Sequence, residues 1–471
     1  MHLFVAADGE RPAADLAYLL SVWRLCGDAL GMTRAVPGLD LEPAEGATGL
    51  LAARTRAGGG VHQAVLRREH DVFCLSVMLE PDPAGGVGWT GLDRRWSEIM
   101  DTAGRPPPGV LGVARLFLAR AADPATAELV RARVPADPDA PDAWPERGTA
   151  VPGGFTVWEA SAPHDGRVER RLVVLAAEHR DAELSAWTWI GAGRELPRLA
   201  RYLLHAAKLR YQVRVWEKGQ GFRRLRQEAD ATIQTLMEIV SPSRQRDPSQ
   251  AELVEASREL TSLQARELGL VDRSTRLREM CRTVDIAAAN LAALSGEAAL
   301  GGPFADDREL AEWFGRQLDD DATYLEAALL RSEQIGALLD RLVQRSRQRR
   351  QESVNLGLTG AVGAILMSLA AIQSLQYTVP LPAPVKPAVI TVLGALALWV
   401  SLVVLRIVVP ERRWARALVH AGSGAVAAAL AWLVVSAAAG SGAGAGGTWL
   451  FAGLGFTAGA LGSAALARLR R

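Results

Sequence analysis

The residue types best suited to chemistry lie together in Arg67-Arg68-Glu69-His70-Asp71, where a carboxylate stands beside an imidazole, a pairing used for proton transfer. Neighbouring residues on a turn point in different directions, and charge runs are ordinarily solvated. The sequence therefore predicts a salt-bridged hairpin tip, whose functional alternative is a partner-binding loop. His70 and Cys74 raise the question of thiol chemistry, which needs the two in contact. Cys74 falls inside the apolar run Val72 to Leu79, which suits a buried structural thiol better than a nucleophile. His62, His164, His179 and His205 show neither H-E-x-x-H nor paired ligand spacing, and Cys26, Cys74 and Cys281 stand far apart. No catalytic residue, cofactor or metal is expected, and the chain reads as a non-enzyme.

Aromatic residues gather at Trp158, Trp187, Trp189 and Trp216, near a basic helix running from Arg198 to Lys218. Such a set could stack a base or line a ligand cage, although core packing is the commoner role of large aromatics. The lysines are Lys208, Lys218 and Lys386, none following a glycine, so the phosphate-binding P-loop pattern is absent. From Ser353 onward Lys386, Arg406, Arg412, Arg413, Arg416, Arg468, Arg470 and Arg471 face the single carboxylate Glu411, a balance of +7; the formal total of +1 leaves −6 for residues 1 to 352. An acidic body argues against nucleic acid as a partner. The start of the sequence lacks the charged end and apolar core of a signal peptide.

The 471 residues leave room for about three domains. His2 to Ala6 reads as a strand and Arg11 to Leu30 as an amphipathic helix stopped by Gly31. Pro37 to Gly60 reads as a loop. Val61 to Leu66 and Val72 to Leu79 form a hairpin, Gly91 to Met100 a helix and Val110 to Leu118 a strand. That order is β-α-β-β-α-β, the ferredoxin-like arrangement, within an N-terminal α+β domain of residues 1–134. Ala125 to Arg133 adds a helix. Residues 135–220 form a second α+β segment whose strands, Phe155 to Ala160, Arg171 to Ala176 and Leu184 to Ile190, build a second small sheet or complete the first, closed by the helix Leu196 to Trp216.

Residues 221–352 carry apolar residues at nearly seven-residue spacing, which predicts a long antiparallel helical bundle or stalk. Ser241-Pro242-Ser243 breaks the first helix, and Ser249 with Glu252 forms a capping box for the second. The second helix is expected to run unbroken from Leu253 through Leu263, Leu270 and Leu277 to Leu291. Asp306 and Asp307 mark the start of the third, which ends in the basic cluster Arg341, Arg345, Arg347, Arg349 and Arg350. Residues 353–471 hold four apolar segments, Val354 to Ile372, Ala388 to Val409, Ala417 to Ala438 and Thr448 to Ala467, each near the length of a membrane crossing. Arginines fall on one side of this four-helix transmembrane domain, so both termini are expected on the cytoplasmic face of the membrane. Gly455 and Gly459 make a small-residue packing face, and a homo-oligomer and contacts with membrane lipids are expected.

Three stretches carry a resemblance: Tyr18-Leu19-Leu20-Ser21-Val22-Trp23 with Leu30-Gly31-Met32-Thr33 and Val36-Pro37-Gly38; Gln63-Ala64-Val65-Leu66-Arg67-Arg68-Glu69-His70-Asp71-Val72 with Leu75-Ser76-Val77; and Ala200-Arg201-Tyr202-Leu203-Leu204-His205-Ala206-Ala207-Lys208-Leu209-Arg210-Tyr211. They resemble the caspase and TPR-repeat-associated (CATRA) proteins of bacterial conflict systems. The resemblance implies a membrane-bound sensor, adaptor or effector working beside a caspase-like protease and TPR proteins, and it carries no catalytic residue. The alternative is a channel or pore, including one of the CorA type, although the chain lacks a Gly-Met-Asn signature.

Overall fold

The computed structural model describes every residue except 10, 45–47, 59, 82–86, 122–131, 190–194, 242–247, 297–300, 378–381, 383–384, 409–412, 440–444 and 470–471. Most of the helix expected over Ala125 to Arg133, and the turn after Ser241, lie outside the described residues. Two units are present: Met1–Leu236 with Arg258–Gln334, and Met237–Ser257 with Ile335–Arg471.

The first unit is built on alternation. Strand β1 (His2–Ala6) sends Leu3 and Val5 into one apolar cluster and Phe4 into another, because successive side chains of a strand point to opposite faces. On the first face lie helices α1 (Pro12–Leu30) and α2 (Trp89–Ala103), whose Trp23 and Trp96 are fully buried. Buried residues of α1 recur as Leu19, Val22, Trp23, Cys26 and Leu30, and Gly31 ends the helix in the left-handed conformation at φ 68°, a geometry that glycine adopts without steric cost.

Strands β2 (Arg34–Ala35), β3 (Gly49–Thr55), β4 (His62–Glu69), β5 (Val72–Leu79) and β6 (Val110–Ala121) follow, then β7 (Thr149–Val151), β8 (Phe155–Glu159) and β9 (Glu169–Ala177). Among the described residues they form one sheet of nine strands in the order β2-β3-β4-β5-β1-β6-β9-β8-β7. Its central run β4-β5-β1-β6 is antiparallel throughout and has the strand order of a ferredoxin-like unit. The region expected as a loop, Pro37 to Gly60, contributes β3, and β2 lies just before it. The second small sheet allowed by the sequence does not exist separately: β9 pairs with β6 in parallel, from Val113↔Glu169 to Ala121↔Ala177, and makes one sheet of the two segments. This register sets Arg115 beside Arg171, and like charges at that spacing repel. Asp93 of α2 relieves them, accepting from Arg115 at 2.8 Å and from Arg171 at 3.1 Å.

The strand expected over Leu184 to Ile190 is instead helix α3 (Asp181–Thr188), with Leu184 and Thr188 buried one turn apart. Helix α4 (Arg198–Trp216) covers the second face of the sheet. The helices beyond it are α5 (Gln220–Val240), α6 (Gln250–Ala265), α7 (Leu270–Ser295) and α8 (Gly302–Tyr377). Within the first unit Phe222, Leu225, Leu277, Val284, Phe314, Leu318 and Leu325 join the sheet's second apolar cluster. In the second unit, Ser249 and Glu252 form the reciprocal capping box at the start of α6, at 2.6 and 3.3 Å. Helices α9 (Val385–Val408), α10 (Arg413–Ala439) and α11 (Ala445–Leu469) complete it.

The long helix expected through Leu253 to Leu291 is broken. α6 ends at Ala265, Leu268 takes φ 65°, and α7 begins at Leu270. Gly269 sits in the break, where a Cβ would lie 2.8–2.9 Å from the carbonyl oxygens of Leu263, Arg266 and Gln264. In a continuous helix Gly269→Ala would stabilise by about 1 kcal/mol. Here it is expected to destabilise by about 1–3 kcal/mol through overpacking, read as a lowered thermal unfolding midpoint.

Candidate functional site

The hairpin residues singled out from sequence occupy the end of β4, the turn and the start of β5. Arg68 donates to the His70 carbonyl at 3.2 Å, and His70 is exposed at φ 53°. Asp71 receives both hydrogen bonds of Lys208 on α4 at 2.8 Å, so the turn is tied to the helix that covers the sheet. Arg67 departs from the solvated reading: it is fully buried and donates to Glu69 at 3.2 Å. Cys74 lies opposite it in the register. Burial pushes the Cys74 thiol far above its ordinary range and holds it protonated, whereas nucleophilic attack needs the thiolate.

The aromatic set is packed. Trp158 donates to the Pro145 carbonyl at 2.8 Å, Trp187 lies 5.4 Å from Phe155, and Trp216 donates to Asp321 at 2.8 Å. The basic helix is likewise engaged: Arg214 donates to the carbonyls of Val110 and Leu111, and Arg198 to that of Leu294. Among the described residues no group of three His, Cys, Asp or Glu side chains could hold a metal. The arginines Arg341, Arg345, Arg347, Arg349 and Arg350 are exposed on α8. Gly455 and Gly459 on α11 face α10, where added Cβ atoms would lie 2.9 Å from the Ala427 carbonyl oxygen and 2.7 Å from that of Ser423.

The densest ionic chemistry of the first unit lies elsewhere. The pair Arg170-Arg171 splits across β9, Arg171 going to the α2 side and Arg170 to the α4 side, as strand alternation requires. Arg170 grips both oxygens of Glu159 on β8, at 2.9 and 2.6 Å, and donates to Asp307 at 2.8 Å. Asp307, in the first turns of α8, is completely buried. It also accepts from the Tyr202 hydroxyl at 2.8 Å and faces Arg210 at 2.6 Å. Arg167 pairs with the other side of Glu159 at 2.8 Å. Three guanidiniums thus surround two carboxylates, a net charge of +1 in a buried cluster.

Burial alone would raise the Glu159 carboxyl, but the charge and hydrogen bonds of Arg170, with Arg167, hold it far below the usual carboxylate range. Asp307 is also lowered, with burial opposed by Arg170 and Arg210. Tyr202 is driven up by burial and by the Asp307 charge, so it stays a donor. This cluster forms the floor of a cleft of about 330 Å³, with Glu159, Arg167 and Arg210 at its base, Trp144 and Trp313 at its sides, and the start of α8 at Gly302-Pro303. Arg147 and Asp306 pair at the rim at 3.1 Å.

Sequence reading places Asp307 at the helix start but not in the interior, and passes over Glu159, Arg170 and Arg210. The available signal is in α4: Tyr202, Ala206 and Arg210 recur at four-residue spacing on a buried face, which puts an arginine among core positions.

Because the folded-state pKa values of Glu159 and Asp307 lie below their unfolded values, their contribution to stability is fully present above about pH 5. It is lost as pH falls below that point, where the unfolded chain binds protons that the folded chain refuses. Glu159→Gln is expected to destabilise the protein by about 3–5 kcal/mol near neutral pH, by leaving buried guanidinium charge uncompensated. It should also flatten the loss of stability between about pH 4 and pH 2; unfolding followed by circular dichroism across that range checks both.

Comparison with known proteins bears on this geometry. The caspase and TPR repeat-associated N-terminal domain family matches residues 1–191, and the corresponding C-terminal domain family matches residues 197–332. The two matches take in the nine-stranded sheet, α4 and the carboxylate Asp307. No curated protein and no solved structure matches the chain. With more than half of its residues covered by these two domains in sequence, the chain belongs to the caspase and TPR repeat-associated (CATRA) family.

Proposed function

We propose that this chain is a membrane-anchored, non-catalytic component of a bacterial conflict system, a sensor, adaptor or effector acting with a caspase-like protease and TPR proteins. The observation that carries the reading is the sequence of parts in one polypeptide. The family domains end at residue 332, five exposed arginines follow on α8, and two helices long and apolar enough to cross a membrane come after them. These are Val385–Val403 and Ala417–Ala438, with mean hydropathies of 1.9 and 1.8. Their length and apolar composition support a crossing.

On this reading the apolar end of α8 and helix α11 supply two further crossings, and the positive-inside rule puts both termini in the cytoplasm. The arginines before the first crossing hold the orientation and meet anionic headgroups, each contributing about 1 kcal/mol near the surface. The α/β body receives the signal or partner and the helical segment passes it on, within a homo-oligomer. The deep burial of Cys74 and the solvent exposure of His70 support the non-catalytic part of the proposal.

Full-length protein is expected to remain in the membrane pellet after alkaline carbonate extraction, and reporters fused to either terminus should both report the cytoplasm. Release into the supernatant would overturn the anchoring. Co-expression with its caspase-like and TPR partners separates the roles: dye leakage that depends on this chain supports an effector, and intact membranes with partner recruitment support an adaptor.

A further inference from the structure

The cleft above the Glu159 and Asp307 cluster has donors left over. Arg210 is 2% exposed, yet its Nε has no hydrogen-bond acceptor among the described residues, while its Nη1 is held in the ion pair with Asp307. Arg167 Nε is buried in the same condition. Both arginines line the cleft. Buried guanidinium N–H groups without acceptors carry a desolvation cost that an anion in the cleft would remove.

Three further observations narrow the anion. The buried floor carries net positive charge, because Glu159 and Asp307 are committed to Arg170, Arg167, Arg210 and Tyr202. Of the other lining carboxylates, Asp306 is half-buried and paired with Arg147 at the rim, while Asp165 and Glu309 are exposed at the mouth, where water screens them. The start of α8 borders the cleft, and helix N-termini favour anions. Finally, Trp313 lines the cleft and is 38% exposed, so part of its indole stays uncovered beside its contacts with Trp216 and Phe314. An oxyanion with several terminal oxygens matches several separate N–H donors, and a flat ring matches the open indole. The volume of about 330 Å³ is at the small end for ligand sites.

We propose that this cleft binds a small phosphomonoester carrying a planar ring, of the size of a nucleoside monophosphate, with the phosphate against Arg210 and Arg167 and the ring against Trp313. The inference stands on the geometry of the cleft and is independent of membrane anchoring. Occupancy would join β8, the 161–167 loop, α4 and the start of α8 through one ligand.

Calorimetric titration of the full-length protein in detergent with inorganic phosphate, ribose 5-phosphate and AMP tests it. AMP is expected to bind at least about tenfold more tightly than ribose 5-phosphate or phosphate, and Trp313→Ala to remove that difference. Arg147→Gln, at the exposed rim, should weaken binding of ribose 5-phosphate and AMP about threefold or more, with a reduced salt dependence. Arg210→Lys should abolish binding; Arg147→Gln and Trp313→Ala keep the test decisive if Arg210→Lys fails to fold. Three results would each overturn the proposal: no binding by any probe up to about 10 mM, binding unchanged in the Arg147 and Trp313 variants, or phosphate binding as tight as AMP.

Discussion

Asp307 is a carboxylate with no exposed surface, and its ionisation at neutral pH depends on what surrounds it. An isolated carboxylate in such a place would take up a proton or drag water inward. Here Arg170 reaches it from a strand, Arg210 and Tyr202 from a helix, and all three rely on the helix that carries Asp307 being seated against the sheet. The charge therefore acts as a positional constraint. The first turns of α8 can dock in few other ways, because a shift that brought Arg308 to this place would leave two buried guanidiniums facing a third. Removing either side of such a pair is costly, while an apolar replacement of the whole cluster need not be. What the ions supply is a fixed register between a sheet and a helix that lie far apart in the chain.

Much of the α/β body is legible in the residues themselves. The alternation in His2 to Ala6 and Val72 to Leu79, the spacing of Leu19, Trp23, Cys26 and Leu30, the stop at Gly31 and the Ser249–Glu252 box all state local geometry, and the folded chain uses them as written. The failures are equally physical. Leu184 to Trp189 is rich in residues favoured in strands, but Leu184 and Thr188 are buried at helical spacing, and the tertiary setting outweighs propensity. Leu263 and Leu270 lie seven residues apart and are both buried; the spacing preserves the phase of an apolar face across a break and cannot reveal the break itself. The parallel pairing of β6 with β9 has no local signature, since its partners meet only after a long intervening segment.

The charged residues were the least legible. Arg67 and Arg170 sit in runs that look solvent-facing, and each is buried because strand alternation delivers one member of a charged pair to the interior. Composition does separate the acidic body from the basic, apolar end. The family match and the apolar helices fall on opposite sides of that change in composition, so the chain's two kinds of surface chemistry coincide with two different solvents in the proposed arrangement.

The placement of Asp307 also orders events in time. During synthesis, Glu159 waits 11 residues for Arg170, which in turn waits 137 residues for Asp307. Long-range contacts of this kind slow folding, because distant chain must be gathered before the contact rewards it. Until Asp307 is made, Arg167, Arg170 and Arg210 have only Glu159 of the cluster's two carboxylates to offset them. The second carboxylate stands near the start of the helix that precedes the apolar end of the chain. The ion cluster of the body is thus complete only once the first turns of α8 are made, ahead of the apolar helices that follow in the chain.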